Sequence, residues 1–253
     1  MIMKMSAVIY VMWLRQLKRY WRSKPRMIGS LGQPALFLIA LGFGFGPIYA
    51  RAGGGNYIQF MAPGIIAMSV MFMAVFSGIE LIWDRQFGFL KETLAAPVPR
   101  WAIMLGKTLG GATAATLQGV VVMLLAMLVG FRPQSLWLLP VALVFMAGTA
   151  IFFSSLGMVI AVKLTDMHAF PLIMNFLLMP LFFLSGALFP LKGLPGAVAV
   201  ISRIDPLSYG VDALRIALVN GGDFGFGLDA AVLFAGASVL LILGTWMFSR
   251  VEV

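Results

Sequence analysis

Apolar residues run through this chain in long blocks separated by short polar breaks, without the strict alternation of half-buried strands. Six blocks reach the about 20 residues that a helix needs to cross a hydrocarbon core of about 30 Å. They are Ile28 to Tyr49, Phe60 to Ile82, Leu109 to Val129, Leu136 to Val162, Ala169 to Leu191 and Leu228 to Phe248. The pattern predicts an all-α integral membrane protein with six transmembrane helices.

Three further segments have helical periodicity but are too short to cross. From Ser6 to Trp21, Val8, Val11, Leu14 and Leu17 share a face, while Arg15, Lys18, Arg19 and Arg22 supply charge. That arrangement predicts an amino-terminal helix lying in the membrane interface, with Trp13, Tyr20 and Trp21 at headgroup depth. Residues 84–100, DRQFGFLKETLAAPVPR, predict a short amphipathic helix capped by Asp84, with Phe87, Leu90 and Leu94 on one face and a stop at Pro97 and Pro99. Such a helix would float in the headgroups, or its Phe87 and Phe89 rings among Arg85, Lys91 and Glu92 would fit a protein socket. Residues 192–227 predict an external re-entrant hairpin of two short helices. Pro195 opens the first; Asp205 caps the second with Pro206 at its first position; Asn220, Gly221 and Gly222 end it. Asp212 and Arg215 are close enough along that second helix to pair.

Composition agrees with a membrane protein: 61% of residues are hydrophobic and 11% charged, against about 25% charged in soluble domains. The net charge of +9 would suggest nucleic acid in a soluble chain. Here the basic residues cluster before the first span and so report topology. Alternating the loops puts the amino-terminal cluster with Arg85, Lys91, Arg100, Lys107, Lys163 and Arg250 on one side, and Arg51, Arg132, Lys192, Arg203 and Arg215 on the other. The positive-inside rule then makes both termini cytoplasmic. The chain divides into an interfacial helix, residues 1–26, and a six-helix membrane domain, residues 27–253.

Catalytic chemistry is sparse. Gly106-Lys107-Thr108 has the end of a phosphate loop, but the required earlier glycine position is Trp101. With no cysteine, one histidine (His168) and no Ser-His-Asp constellation, neither a metal site nor a hydrolytic triad is expected. Glu80 is the one acidic candidate in the spans, expected to snorkel or pair with Arg85. A carrier driven by an ion gradient needs intramembrane ionisable groups, so energy is expected from outside the membrane.

Two motifs carry a family resemblance over nearly the whole chain. Asp84-Arg85-Gln86-Phe87-Gly88, followed by Pro97-Val98-Pro99-Arg100, resembles the Glu/Asp-Arg-x-x-Gly and Pro-x-x-Arg segments of the ABC-2 type permeases, particularly those like the daunorubicin-resistance permease. Ser185-Gly186-Ala187-Leu188-Phe189-Pro190 and Pro206-Leu207-Ser208-Tyr209 resemble that family's Ser-Gly-x-x-Phe-Pro and Pro-x-x-Tyr signatures. The resemblance implies the membrane subunit of an ATP-driven exporter of hydrophobic or amphipathic cargo: drug, lipid or lipid-linked glycan. ATP and Mg would be bound by a separate ATPase subunit, two copies of which would engage a permease homodimer in the cell membrane. It also implies that Asp84, Arg85, Phe87, Gly88, Phe89, Lys91 and Glu92 belong to a coupling helix on that ATPase. The first, second and fifth spans would line the route, giving Met68, Met71, Phe72 and Phe76 with Asn175, Leu178 and Phe182 as lining residues. The competing reading is a membrane scaffold or assembly factor that moves nothing.

Overall fold

The computed structural model describes residues 5–95, 98–191 and 195–250, with the side chains of residues 26 and 94 excluded. The expected stop at Pro97, the place of Leu94 on its helix face and the position of Lys192 lie outside the described residues. Among the described residues every regular element is helical.

Five elements are long and apolar enough to cross a membrane: α2 (Lys24–Arg51), α3 (Tyr57–Phe76) continued by α4 (Ile79–Gln86), α6 (Arg100–Val129), α7 (Leu139–Lys163, led by a 3-10 turn at Leu136–Leu138) and α11 (Phe226–Ser249). The block expected at 169–191 folds as the 16-residue α8 (Ala169–Leu184) followed by a turn. At 1.5 Å per residue α8 is about 24 Å long. It ends where Ser185 Oγ bonds to the Phe182 carbonyl and Gly186 takes φ +76°, a left-handed conformation.

The core is built around α3, on which residues Met61 to Met71 are all buried. α6, α7 and α10 (Pro206–Val219) pack against it, with α11 behind α7 and α6. Close approach depends on missing side chains. A Cβ on Gly64 would fall 2.5 Å from Ala187 Cα, and one on Gly78 2.5 Å from the Gly157 carbonyl oxygen. The second contact sits at the α3–α4 bend, where Ser77 Oγ bonds to the Ala74 carbonyl at 2.6 Å.

α1 (Met5–Arg22) differs in placement from an isolated interfacial helix. Its Ile9 and Met12 pack on Gly106 and its Gln16 on Gly110, Trp13 Nε1 donates to Thr113, and the Tyr20 hydroxyl donates to Gln118. These contacts advance together along both helices, so α1 lies along α6 rather than across it. Two glycines one turn apart permit that approach, as small residues do in membrane helix pairs.

The hairpin contains α9 (Gly196–Ile204) and α10. Asp205 caps α10 by accepting from Leu207 N at 2.9 Å, and Asn220, at φ 54°, reverses the chain at its end. α10 is buried on nearly every side, and the Tyr209 hydroxyl ties it to α9 through the Arg203 carbonyl at 2.6 Å. Asp212 and Arg215, near enough along the helix to pair, make hydrogen bonds to backbone groups. The reversal at Asn220 returns the backbone over α10, and Asp212 accepts from the N–H groups of Asp223, Phe224 and Gly225. Arg215 donates to the Gly186 carbonyl at 2.8 Å and lies 4.4 Å from the Phe60 ring centre.

Candidate functional site

The end of the bundle that carries α1, α4 and the start of α6 holds a partly buried charge cluster. Asp84 was expected as a helix cap, but it lies inside α4, the continuation of the second span, and is 4% exposed. Its carboxylate meets Lys107 of α6, 3% exposed, and Arg15 and Arg19 of α1 at 3.0 and 3.6 Å. Glu80, one turn earlier on the same face, pairs with Arg19 at 3.3 Å. A buried charge persists only with a partner, so the two carboxylates fix where α1 and α6 meet α4.

The chain turns sharply after α4. Gly88 takes φ +78°, and the short helix begins there as α5 (Phe89–Ala95) rather than at Asp84. Leu90 is buried, whereas Phe87 and Phe89 are 67% and 46% exposed, beside the exposed Lys91 and Glu92. Arg15 lies 5.7 Å from the Phe89 ring centre, so one α1 side chain touches both the carboxylate and the exposed helix. The result is an aromatic and charged protrusion on a rigid base.

Arg85 points elsewhere. Its guanidinium donates to the carbonyls of Val162 and Leu164, at 3.0 and 3.3 Å, and Gln86 donates to that of Thr165. Arg100 likewise donates to the carbonyls of Phe248 and Ser249, at 3.4 and 2.7 Å. The final carbonyls of a helix have no partner within it and attract cations. The two motif arginines therefore cap the ends of α7 and α11. Glu80, expected to snorkel or to pair with Arg85, pairs with Arg19 of α1.

A cavity of about 510 Å³ opens between α2 and α3–α4, lined by Gly29, Ser30, Gln33 and Pro34 on one side and Met68, Ser69, Phe72, Met73, Phe76, Ile79 and Trp83 on the other. Of the residues expected to line a route, Met68, Phe72 and Phe76 border this cavity. Met71, Leu178 and Phe182 are buried outside the lining, Phe182 packing on Phe37 of α2, and Asn175 is exposed on α8. The lining is apolar apart from a few hydroxyl and amide groups, as in sites for amphipathic ligands.

With this geometry in place, comparison with known sequences decides the family: residues 7–219 match the ABC-2 type transporter family. The chain belongs to it. Similar ABC-2 proteins include Nodulation protein J of Sinorhizobium fredii, 31% identical over 86% of this chain and 84% of that protein. Nodulation protein J of Rhizobium leguminosarum bv. trifolii is 33% identical over 75% of this chain and 72% of that one. Membership in the ABC-2 family, together with the apolar helices, makes this a multi-pass membrane protein of a permease family, whose members are generally not enzymes.

Lys107 is the site residue that sequence reasoning passed over, having weighed it as the end of a phosphate loop. A lysine within an otherwise apolar helix calls for a carboxylate partner, and Glu80 and Asp84, four residues apart at the end of another span, were the available ones.

Proposed function

We propose that the chain is the membrane subunit of an ATP-driven exporter, with α5 as the helix that engages a separate ABC-type ATPase. The observation that carries this reading is the base under α5. Asp84 joins the end of the second span to α1 and α6, while Phe87, Phe89, Lys91 and Glu92 stand exposed beyond it. Force on the protrusion would reach three helices at once. Asp84, Arg85 and Gly88 then position the segment, and the four exposed residues make the contact.

In this reading ATP and Mg remain on the ATPase, two copies of which serve a permease homodimer in the cell membrane. Both termini face the cytoplasm. α8 and the turn after it make a sixth crossing, and α9–α10 form a re-entrant hairpin wedged into the outer half of the bundle. ATP acts by binding one conformation of the complex more tightly than another. The cavity walled by Met68, Phe72 and Phe76 opens toward the route, through which a hydrophobic or amphipathic cargo moves outward.

The test is co-reconstitution with the candidate ATPase. The permease should bind it and raise its ATP turnover, and reversing charge with Lys91→Glu and Glu92→Lys should reduce both. Unchanged binding and turnover in that variant would favour a scaffold that moves nothing.

A further inference from the structure

The face of α1 turned away from α6 carries Val11, Leu14, Arg15, Lys18, Arg19 and Arg22. With Ser23 and Pro25 they line a recess of about 670 Å³. Its charge is unbalanced. Arg15, Arg19 and Lys107 share the two carboxylates Asp84 and Glu80. Lys18 and Arg22 are exposed and have no ion-pair partner among the described residues. One helical turn separates Pro25, on the rim of this recess, from Gly29, in the wall of the apolar cavity. That cavity also holds a buried hydroxyl, Ser69 Oγ, without a hydrogen-bond partner.

We propose that recess and cavity are two halves of one site for an anionic amphipath. A phosphate-bearing head sits against Lys18 and Arg22, with spare N–H groups of Arg15 and Arg19, and the apolar body lies along Met68, Phe72 and Phe76. Guanidinium and ammonium groups together suit phosphate oxygens. A protein partner could neutralise the recess but would not continue into an apolar cavity between two membrane helices. The inference rests on the transport reading above and narrows its cargo to lipids with a phosphate head.

Binding can be measured without ATPase or ATP. The chain would be placed in phosphatidylcholine nanodiscs and titrated with short-chain phosphatidic acid carrying brominated acyl chains, which quench nearby tryptophan; Trp83 lies in the cavity wall. Saturable quenching is expected, largely lost in Trp83→Phe. Lys18→Gln with Arg22→Gln should weaken binding about tenfold or more, as expected for two cations at a phosphate surface. A Cβ on Gly29 meets open space, so Gly29→Leu fits the fold and should also weaken binding by occupying the cavity.

Equal affinity for brominated phosphatidylcholine would overturn the proposal. So would unchanged affinity in the Lys18/Arg22 variant, quenching that survives Trp83→Phe, or inorganic phosphate competing as well as the lipid. Because the assay omits ATP, lipid binding with no effect on ATP turnover would sink the transport reading alone. Intact ATP coupling without lipid binding would sink this inference alone.

Discussion

Replacing Asp84 with Asn removes one charge from the base of α5 and leaves Lys107 buried without its carboxylate. Lys107 is 3% exposed, and stranding a buried charge in this way costs about 3–5 kcal/mol. Arg15 and Arg19, with side chains 35% and 32% exposed, can reach solvent, and losing each of their pairs costs about 0.2–1 kcal/mol. Together these come to about 3.4–7 kcal/mol, so at about 2–4 °C per kcal/mol for a chain of this size, Asp84→Asn should lower the melting temperature in nanodiscs by roughly 7–28 °C. Arg15→Gln, which leaves Asp84 with Lys107 and Arg19 and gives up one exposed pair and the Phe89 contact, should lower it by no more than about 8 °C. The decisive variant is the double replacement Asp84→Asn with Lys107→Met, which removes both buried charges and should recover most of the loss. A double variant no more stable than Asp84→Asn alone would refute the claim that the penalty comes from an orphaned lysine.

Arg85→Ala and Arg100→Ala each uncap a different helix, so each should cost about 1–3 kcal/mol in thermal unfolding, and the losses should add. Gly64→Val should prevent recovery of folded protein, because its Cβ would meet the Ala187 backbone. Gly44→Ala, with open space beside it, should stay within about 0.5 kcal/mol of wild type; size-exclusion profiles and melting read both. Phe87→Asp with Phe89→Asp should abolish capture of the ATPase subunit while costing about 1 kcal/mol of stability, mainly the Arg15 contact. Equal capture by that variant would place the docking surface elsewhere.

The features legible in the sequence were those set by local pattern. Five of the six long apolar blocks are helices long enough to cross a membrane, and Asp205, Pro206 and Asn220 bound α10, because each is a property of consecutive residues. Asp84 was misplaced because its polar neighbours at 85 and 86 imitate a helix start. The structure instead extends the second span through them, since Arg15, Arg19 and Lys107 compensate a carboxylate that far into the bundle. Those partners lie far away along the chain, beyond the reach of any local pattern. The same holds for Arg85 and Arg100, whose acceptors are carbonyls at the ends of α7 and α11. For Arg215, charge spacing along one helix pointed to Asp212, but backbone groups brought close by a turn supplied both residues with other partners.

The central claim is that α5 is where the ATPase engages this permease. The chain contains no cysteine, so Phe89→Cys introduces a single thiol on the protrusion and Val200→Cys a single thiol on the exposed hairpin. With a bifunctional thiol-to-amine reagent and the co-reconstituted ATPase, the account predicts a cross-linked permease–ATPase band from Phe89→Cys, altered in yield by ATP, and none from Val200→Cys. A cross-link from the hairpin position, with none from Phe89→Cys, would contradict it.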